Sequence, residues 1–448
     1  MRGSWTRLCG LFVTGCSPMA DALRIGTGRR MVLVGVLLVA LSGRGWAETE
    51  AKDGPSATDW PTAISRLQQE VYDHPGFLES RRQLAIAHNN YGVELGKQGR
   101  WALAVQELQE ALRLDEANPQ FKTNLCHIYF NEAQAAYQHH EIDEASDALD
   151  HLITLNPDFA PAYVLRGEID YDRQKLKEAK AAWQRALELD PTQTELAQRL
   201  AQVTKELPVE SKFERISQFF FDVRYEERVD RPVGFDIQDT LQEARRDVGS
   251  DFSCWPKHKI VVLVYGAESF RALRRNTPEW VAGQFDGKIR VPLPDVQLDS
   301  AAVRRILYHE YTHAVIQELT DGKCPTWLNE GLAEYEGRTQ KAQPLSYLAK
   351  AYQSGGLVPL AKLSDRFSNA LLAEQVALGY EQSYSIVAYL VDRYAFWRIR
   401  RLLRALTEGQ SFEQALAGEL RLKPAKLEAA WLEWLPTLLN ASPAQARR

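Results

Sequence analysis

Apolar positions follow two rhythms along the chain. From residue 60 to 205 the sequence is rich in Ala, Leu, Glu and Gln and reads as successive helices. From 213 onward, strand-like and helix-like stretches alternate. Phe219-Phe220-Phe221-Asp222-Val223-Arg224-Tyr225 reads as a first strand and Ile237 to Val248 as a helix. Lys259 to Tyr265 is an apolar run bounded by Gly266, the pattern of a buried strand. Asp286-Gly287 is a hairpin turn signal, and Lys288-Ile289-Arg290-Val291 alternates as a strand does. Pro292 and Pro294 lack a backbone donor and suit a sheet edge. Residues 286 to 291 therefore read as an edge strand, either an ordinary sheet margin or a rail for an extended peptide. Pro208 to Lys212 reads as the linker between the two halves. Beyond 300 the pattern is helical. Ser411 caps Phe412 to Leu420, Pro424 opens Ala425 to Leu435, and Leu427, Trp431, Trp434 and Leu435 form a packing face.

Aligning alanines and prolines exposes a repeat in the helical half. Gly92, Ala104 and Ala111 match Gly167, Ala179 and Ala186, with spacings of 12 and 7 in both sets. Ala145 and Ala179 lie 34 apart, as do Pro157 and Pro191. This period resembles the tetratricopeptide repeat. Small residues at those positions let two antiparallel helices approach, and Tyr91, Leu108, Tyr163 and Trp183 fill the space between them. Three repeats are expected, at 85 to 119, 126 to 159 and 160 to 193, within a helical domain of 60 to 205. Ala104 and Ala145 lie 41 apart, so the first join carries seven extra residues. A helix from Thr194 caps the stack. His139 and His140 fall at an inter-helix turn, where solvation explains them better than metal. Such a stack exposes a concave face for peptides or partner proteins; the plainer reading is a spacer.

The chemistry concentrates at His309-Glu310-Tyr311-Thr312-His313, set among apolar neighbours. In a helix, positions i and i+4 share a face, so both imidazoles reach one ion. Glu310 sits where a carboxylate takes a proton from metal-activated water. A catalytic zinc usually needs a third protein ligand. After residue 151 His258 is the remaining histidine, and Ile316 and Leu319 exclude the metzincin spacing. Downstream lies Trp327-Leu328-Asn329-Glu330-Gly331-Leu332-Ala333-Glu334-Tyr335. Glu330 is the expected third ligand, with Glu334 one turn on to accept a proton from the far nitrogen of a ligating imidazole and Asn329 beside it as further support. Cys324, six residues before Glu330, reads as a small buried residue rather than a thiolate ligand.

His-Glu-x-x-His followed by Asn-Glu-Gly-x-Ala-Glu resembles the gluzincin metallopeptidases, in the layout called peptidase-MA-like, over residues 213 to 436. The resemblance implies zinc (Zn2+) on His309, His313 and Glu330, Glu310 as general base, and substrate held along the strand at 286 to 291. Leu378-Gly379-Tyr380-Glu381-Gln382-Ser383 resembles the segment that carries an oxyanion-binding tyrosine in aminopeptidase-type members. Tyr380 is the candidate donor and Tyr384 the second; Gln382-Ser383 stands where those enzymes have Lys-Gly. The amine-capturing Gly-x-Met-Glu-Asn segment is missing, the methionines being Met1, Met19 and Met31, which favours an endopeptidase. A non-catalytic scaffold with a structural or vestigial zinc site is the alternative.

Residues 1 to 47 read as a signal peptide with an extended n-region. Arg29 and Arg30 precede an apolar run from Met31 to Leu41, and Gly45-Trp46-Ala47 offers a cleavage site. The expected location is periplasmic or secreted, or membrane-anchored outside the cytoplasm if the signal stays uncleaved. Beyond Ala47 the cysteines Cys126, Cys254 and Cys324 make no disulfide framework. A net charge of −5 without a basic run gives nucleic acid no electrostatic foothold. The expectation is therefore a multidomain chain, with an all-α tetratricopeptide solenoid followed by an α+β gluzincin (thermolysin-like) domain. Its partners are peptide or protein substrates and proteins held by the repeats.

Overall fold

The computed structural model describes residues 59–227, 229, 231–273, 284–293, 300–367 and 371–440. The signal segment and Pro294 lie outside the described residues. No helix among the described residues is long and apolar enough to cross a membrane.

Helices α1 (Trp60–Asp73), α2 (Leu78–Lys97), α3 (Trp101–Leu114), α4 (Pro119–Gln138), α5 (Ile142–Leu155), α6 (Ala160–Asp172), α7 (Leu176–Leu189) and α8 (Thr194–Glu210) run in succession. The pairs α2/α3, α4/α5 and α6/α7 pack as hairpins. Side-chain size is the reason they close so tightly. Ala104, Ala111, Ala145, Ala179 and Ala186 are wholly buried between helices. A methyl group on Gly167 would fall 2.2 Å from the Trp183 ring. The seven extra residues form the first two turns of α4, which is 20 residues long against 13 for α6. Asn118 caps this extension by accepting from the Gln120 amide.

Most of the expected linker is helix, and only Ser211 and Lys212 of it lie outside α8. α8 runs through Pro208 to Glu210, and strand β1 (Glu214–Gln218) begins four residues later. The chain then turns into β2 (Phe221–Tyr225), so the three phenylalanines do not form one strand. Phe219 is the hairpin tip, with positive φ and 80% exposure. Phe220 sits beneath the Arg245 guanidinium, 3.6 Å from the ring centroid.

The sheet continues through α9 (Arg231–Phe252), β3 (Ile260–Gly266), α10 (Ala267–Leu273), β4 (Gln284–Phe285) and β5 (Ile289–Leu293). Its order is β1-β2-β3-β5-β4, with β2, β3 and β5 parallel and the outer strands antiparallel. β5 is thus paired on both sides over its first two residues, and the short β4 forms the margin there.

Period-2 alternation sends the residues of β3 to two different cores. Ile260, Val262 and Val264 join Ile289, Val291 and Leu293 in the main core, beneath α9 and α11 (Ser300–Thr320). Val261, Leu263 and Tyr265 face α10 and the end of α8, with Phe270, Leu273, Val209 and Phe213. On that second face lie Arg290 of β5 and Lys288 just ahead of it, both essentially unexposed. Arg290 donates to the hydroxyls of Tyr265 and Tyr171, each at 2.9 Å, and lies 3.6 Å from Glu210. Lys288 donates to Gln174 at 2.7 Å, and Gln174 in turn donates to Glu210. The polar side of the strand expected at a sheet edge is sealed against the acidic end of the repeat stack.

The remaining helices are α12 (Thr326–Gln340), α13 (Ser346–Ser354), a 3-10 turn at Leu360–Phe367, α14 (Ala373–Tyr394), α15 (Phe396–Thr407), α16 (Phe412–Leu420) and α17 (Pro424–Asn440). They complete the main core, with Leu427, Trp431 and Leu435 on the expected packing face of α17. One buried group there is costly. Glu336 of α12 is 3% exposed, and its Oε1 finds no hydrogen-bond partner among the described residues. Burial, and then the charges of Asp251 and Asp247, push its carboxyl up to about 8. A raised carboxyl makes the folded state bind the proton more tightly, so stability falls as pH rises from about 4.5 to about 8. Glu336→Gln is expected to flatten that slope and to stabilise the protein above pH 8 by at most roughly 5 kcal/mol, read from urea melts across pH.

Candidate metal centre

α11 and α12 lie side by side, and two glycines set their spacing. A Cβ on Gly337 would meet the Arg305 carbonyl of α11 at 3.0 Å. A Cβ on Gly331 would meet the Ser383 carbonyl of α14 at 2.6 Å. α12 is therefore wedged between two backbones and carries Glu330 to a fixed height. Gly331→Ala is expected to cost about 1–3 kcal/mol by overpacking, seen in thermal melts, and to lower metal occupancy by shifting the adjacent Glu330.

The helical spacing puts His309 and His313 on one face, their Nε2 atoms 3.2 Å apart. Glu330 Oε2 lies 3.6 Å from His309 Nε2 and 3.4 Å from His313 Nε2. All three side chains are buried. The far nitrogens lie near oxygens too, although His309 Nδ1 makes no aligned hydrogen bond. His313 Nδ1 is 3.0 Å from Asn329 Oδ1, and His309 Nδ1 is 3.2 Å from the Glu334 carboxylate. With each Nδ1 carrying the proton toward its oxygen, both Nε2 lone pairs converge on one point beside a carboxylate. That arrangement is unfavourable without a cation between them. Two imidazoles and a carboxylate are the donor set of an open catalytic zinc site, so the residues fit a divalent metal. Burial opposes charge on both histidines, yet the carboxylates prevail and raise them, His309 to about 10. Burial likewise opposes charge on Glu330, but His313 and His309 hold it down to about 2.

Glu310 is 4% exposed, and its Oε2 has no hydrogen-bond partner among the described residues. Burial pushes its carboxyl up, against the pull of His309 and His313. A buried carboxyl with a raised affinity for protons, next to a cation site, can accept a proton from water and give it up again.

Two further residues belong to this cluster. Arg305 donates to Glu334 at 3.1 Å and Arg338 at 3.0 Å, so the carboxylate that faces His309 is itself clamped from both helices. The signal was present in the sequence. Arg305 precedes His309 by four residues and Arg338 follows Glu334 by four, the spacing of neighbours on one helix face.

Tyr380 lies close by, its ring centroid 6.2 Å from that of His309 and 5.1 Å from Phe367. Burial, and then the charges of Glu330, Glu310 and Glu334, push its hydroxyl well up. It stands two turns inside α14 rather than ahead of that helix. Tyr384 turns elsewhere, stacking on Tyr335 and lying under Arg338. The neighbouring Glu381 and Gln382 bond the backbone of Leu348 and Val358. They hold the start of α13 and the loop before the 3-10 turn.

Cys324 stays outside the donor set, its thiol raised by burial and then by Glu330. Cys126, Cys254 and Cys324 are all free thiols. His258 does not approach His309 either. It stacks on His140, ring centroids 4.1 Å apart, beside Glu318. His139 is exposed, as solvation requires, but His140 is not left to solvent.

Residues 262–437 match the family model of the Peptidase MA superfamily, and residues 160–193 match that of the tetratricopeptide repeat. RNA polymerase II-associated protein 3 of Homo sapiens is 28% identical over 141 residues, covering 32% of this chain and 20% of that protein. The DnaJ homolog subfamily C member 7 homolog of Dictyostelium discoideum is 24% identical over 147 residues, covering 32% and 27%. The chain thus spans about a fifth to a quarter of the length of these curated relatives. The solved first TPR of Spaghetti (RPAP3) bound to HSP90 peptide SRMEEVD is 28% identical, covering 28% of this chain and 94% of that one at a TM-score of 0.21. Placed beside the helix pairs and the His/Glu cluster, the matches identify a chain that carries a Peptidase MA superfamily domain and, ahead of it, a tetratricopeptide repeat.

Proposed function

We propose that this chain is a zinc-dependent endopeptidase of the gluzincin type, acting outside the cytoplasm, with repeat helices that recruit protein partners or substrates. Residues 60 to 205 form the recruiting part and 213 to 436 the catalytic part. The observation that carries the reading is the convergence of His309, His313 and Glu330 around one point with the buried Glu310 carboxyl beside it.

His309, His313 and Glu330 would hold the metal. Zinc, when bound there, supplies Lewis acidity that polarises a carbonyl and makes a coordinated water acidic near neutral pH. Glu310 accepts the proton of the attacking water and delivers it to the leaving amine nitrogen. Glu334, clamped by Arg305 and Arg338, fixes the tautomer and angle of His309; Asn329 does the same for His313. Tyr380 donates its hydroxyl to the oxyanion that develops on the scissile carbonyl. Its high proton affinity keeps that donor protonated at working pH.

The test measures bound metal by mass spectrometry and casein cleavage with and without chelator. Stoichiometric zinc and cleavage lost to chelator are expected; zinc-free protein, or cleavage that ignores chelator, would sink the reading. Peptides with acetylated N-termini should be cut as well as free ones, and cleavage confined to free amines would make the enzyme an aminopeptidase. The repeat-bearing relatives favour a second reading, a scaffold whose zinc is structural. It predicts stoichiometric zinc with no cleavage of casein or of either kind of peptide.

A further inference from the structure

A second cluster of metal-ligating side chains lies away from the centre just described. His140 sits at the turn between α4 and α5, with its backbone in the left-handed region at φ 61. His258 stands in the loop ahead of β3, and Glu318 is near the end of α11, five residues beyond His313. Three elements, one from the repeats and two from the peptidase domain, thus deliver two imidazoles and a carboxylate to one place. Their nitrogen and oxygen atoms lie within 4.8 Å of one another.

The spacing is informative. Glu318 Oε2 is 3.8 Å from His140 Nε2 and 3.6 Å from His258 Nδ1. Both separations are too long for a hydrogen bond. Ligands about 2.0–2.1 Å from a tetrahedral zinc stand about 3.4 Å apart, which these gaps approach. The corresponding gaps at the His309 centre are 3.4 and 3.6 Å. The two rings are nearly parallel, 20° apart, so a shared ion turns at least one of them to aim its nitrogen inward. Each group is about a quarter exposed. They line a cavity of about 300 Å³ with Gln138, Lys257, Gln317 and Asp321, which leaves room for water at a fourth position.

We infer that His140, His258 and Glu318 form a second divalent-metal site, which clamps the repeat helices to the catalytic helix α11. Two imidazoles and one carboxylate suit zinc or a cation of similar borderline character. The ion occupies the joint, remote from the reacting atoms. Its effect is to fix the α4–α5 turn against the end of the helix that carries His309 and His313.

The experiment uses the full chain, stripped with chelator and titrated with zinc, with metal counted by calorimetry and mass spectrometry. Wild type is expected to bind two zinc ions. His258→Ala and the isosteric Glu318→Gln should each bind one, His309→Ala one, and His258→Ala with His309→Ala none. Circular dichroism reports whether each variant folds, and Glu318→Gln carries the test if His258→Ala does not. Zinc should also slow amide exchange around residues 136–145 by roughly tenfold in wild type and not in Glu318→Gln. Two ions retained by both joint variants would overturn the inference. So would a single ion in wild type that vanishes in His309→Ala alone. A single ion lost in His258→Ala but kept in His309→Ala would leave this site standing and remove the catalytic one.

Discussion

Glu310→Gln is expected to lower casein and peptide cleavage by about a thousand-fold or more, at unchanged zinc content. The amide keeps the shape and burial of the carboxyl and removes only its capacity to take a proton. Because burial already disfavours the charged form of Glu310, the substitution should leave the melting temperature close to wild type. The loss should appear in kcat rather than KM, since the group acts on the proton moved during reaction. Zinc counted in the same samples separates a missing base from a missing metal. Wild-type turnover in a fully metallated Glu310→Gln protein would remove Glu310 from the mechanism.

Arg290→Ala is expected to destabilise the chain by about 3–5 kcal/mol. Arg290 is wholly buried, 3.6 Å from Glu210 and 4.0 Å from Glu206, themselves buried in the last turns of α8. Removing it strands these carboxylates in a place water does not reach. Lys288 donates to Gln174 at 2.7 Å, so taking over the role of Arg290 would cost it that bond. Urea denaturation monitored by fluorescence and by far-ultraviolet dichroism gives the cost. Arg290→Met with Glu206→Gln, Glu210→Gln and Lys288→Met should recover much of it, because the buried charges are then removed together. A loss below about 1 kcal/mol in Arg290→Ala would mean that water enters this joint.

What the sequence made legible was whatever is local. The i, i+4 histidines, the 34-residue spacing and the apolar run of β3 each follow from backbone geometry over a few turns or one repeat. Asn329, Glu330 and Glu334 share a single helix, so their order in the chain already fixes their heights relative to one another. The misreadings all turn on contacts between distant segments. The end of α8 carries Glu206 and Glu210 and looks like a polar connector until Arg290, 80 residues on, covers it. Lys288 and Arg290 pattern as the wet side of an edge strand because nothing local announces the acidic surface they meet. Phe219 and Phe220 look like strand core, yet one is a turn tip and the other is shielded by a guanidinium. His140 and His258 are 118 positions apart, and no spacing rule joins them. Tyr380 was found through a motif, but its place within α14 depends on packing against Phe367 and His309.

Only Ser211, Lys212 and Phe213 separate the last repeat helix from β1, and the charged seal beneath β5 removes any remaining slack. On the proposed function, the two halves would act as a ruler rather than as a tethered pair. A polypeptide gripped by the repeats would be cut at a set distance from the gripped segment, whatever the residues around the scissile bond. Lengthening those three residues with glycine and serine would blur that distance before it weakened either grip or cleavage.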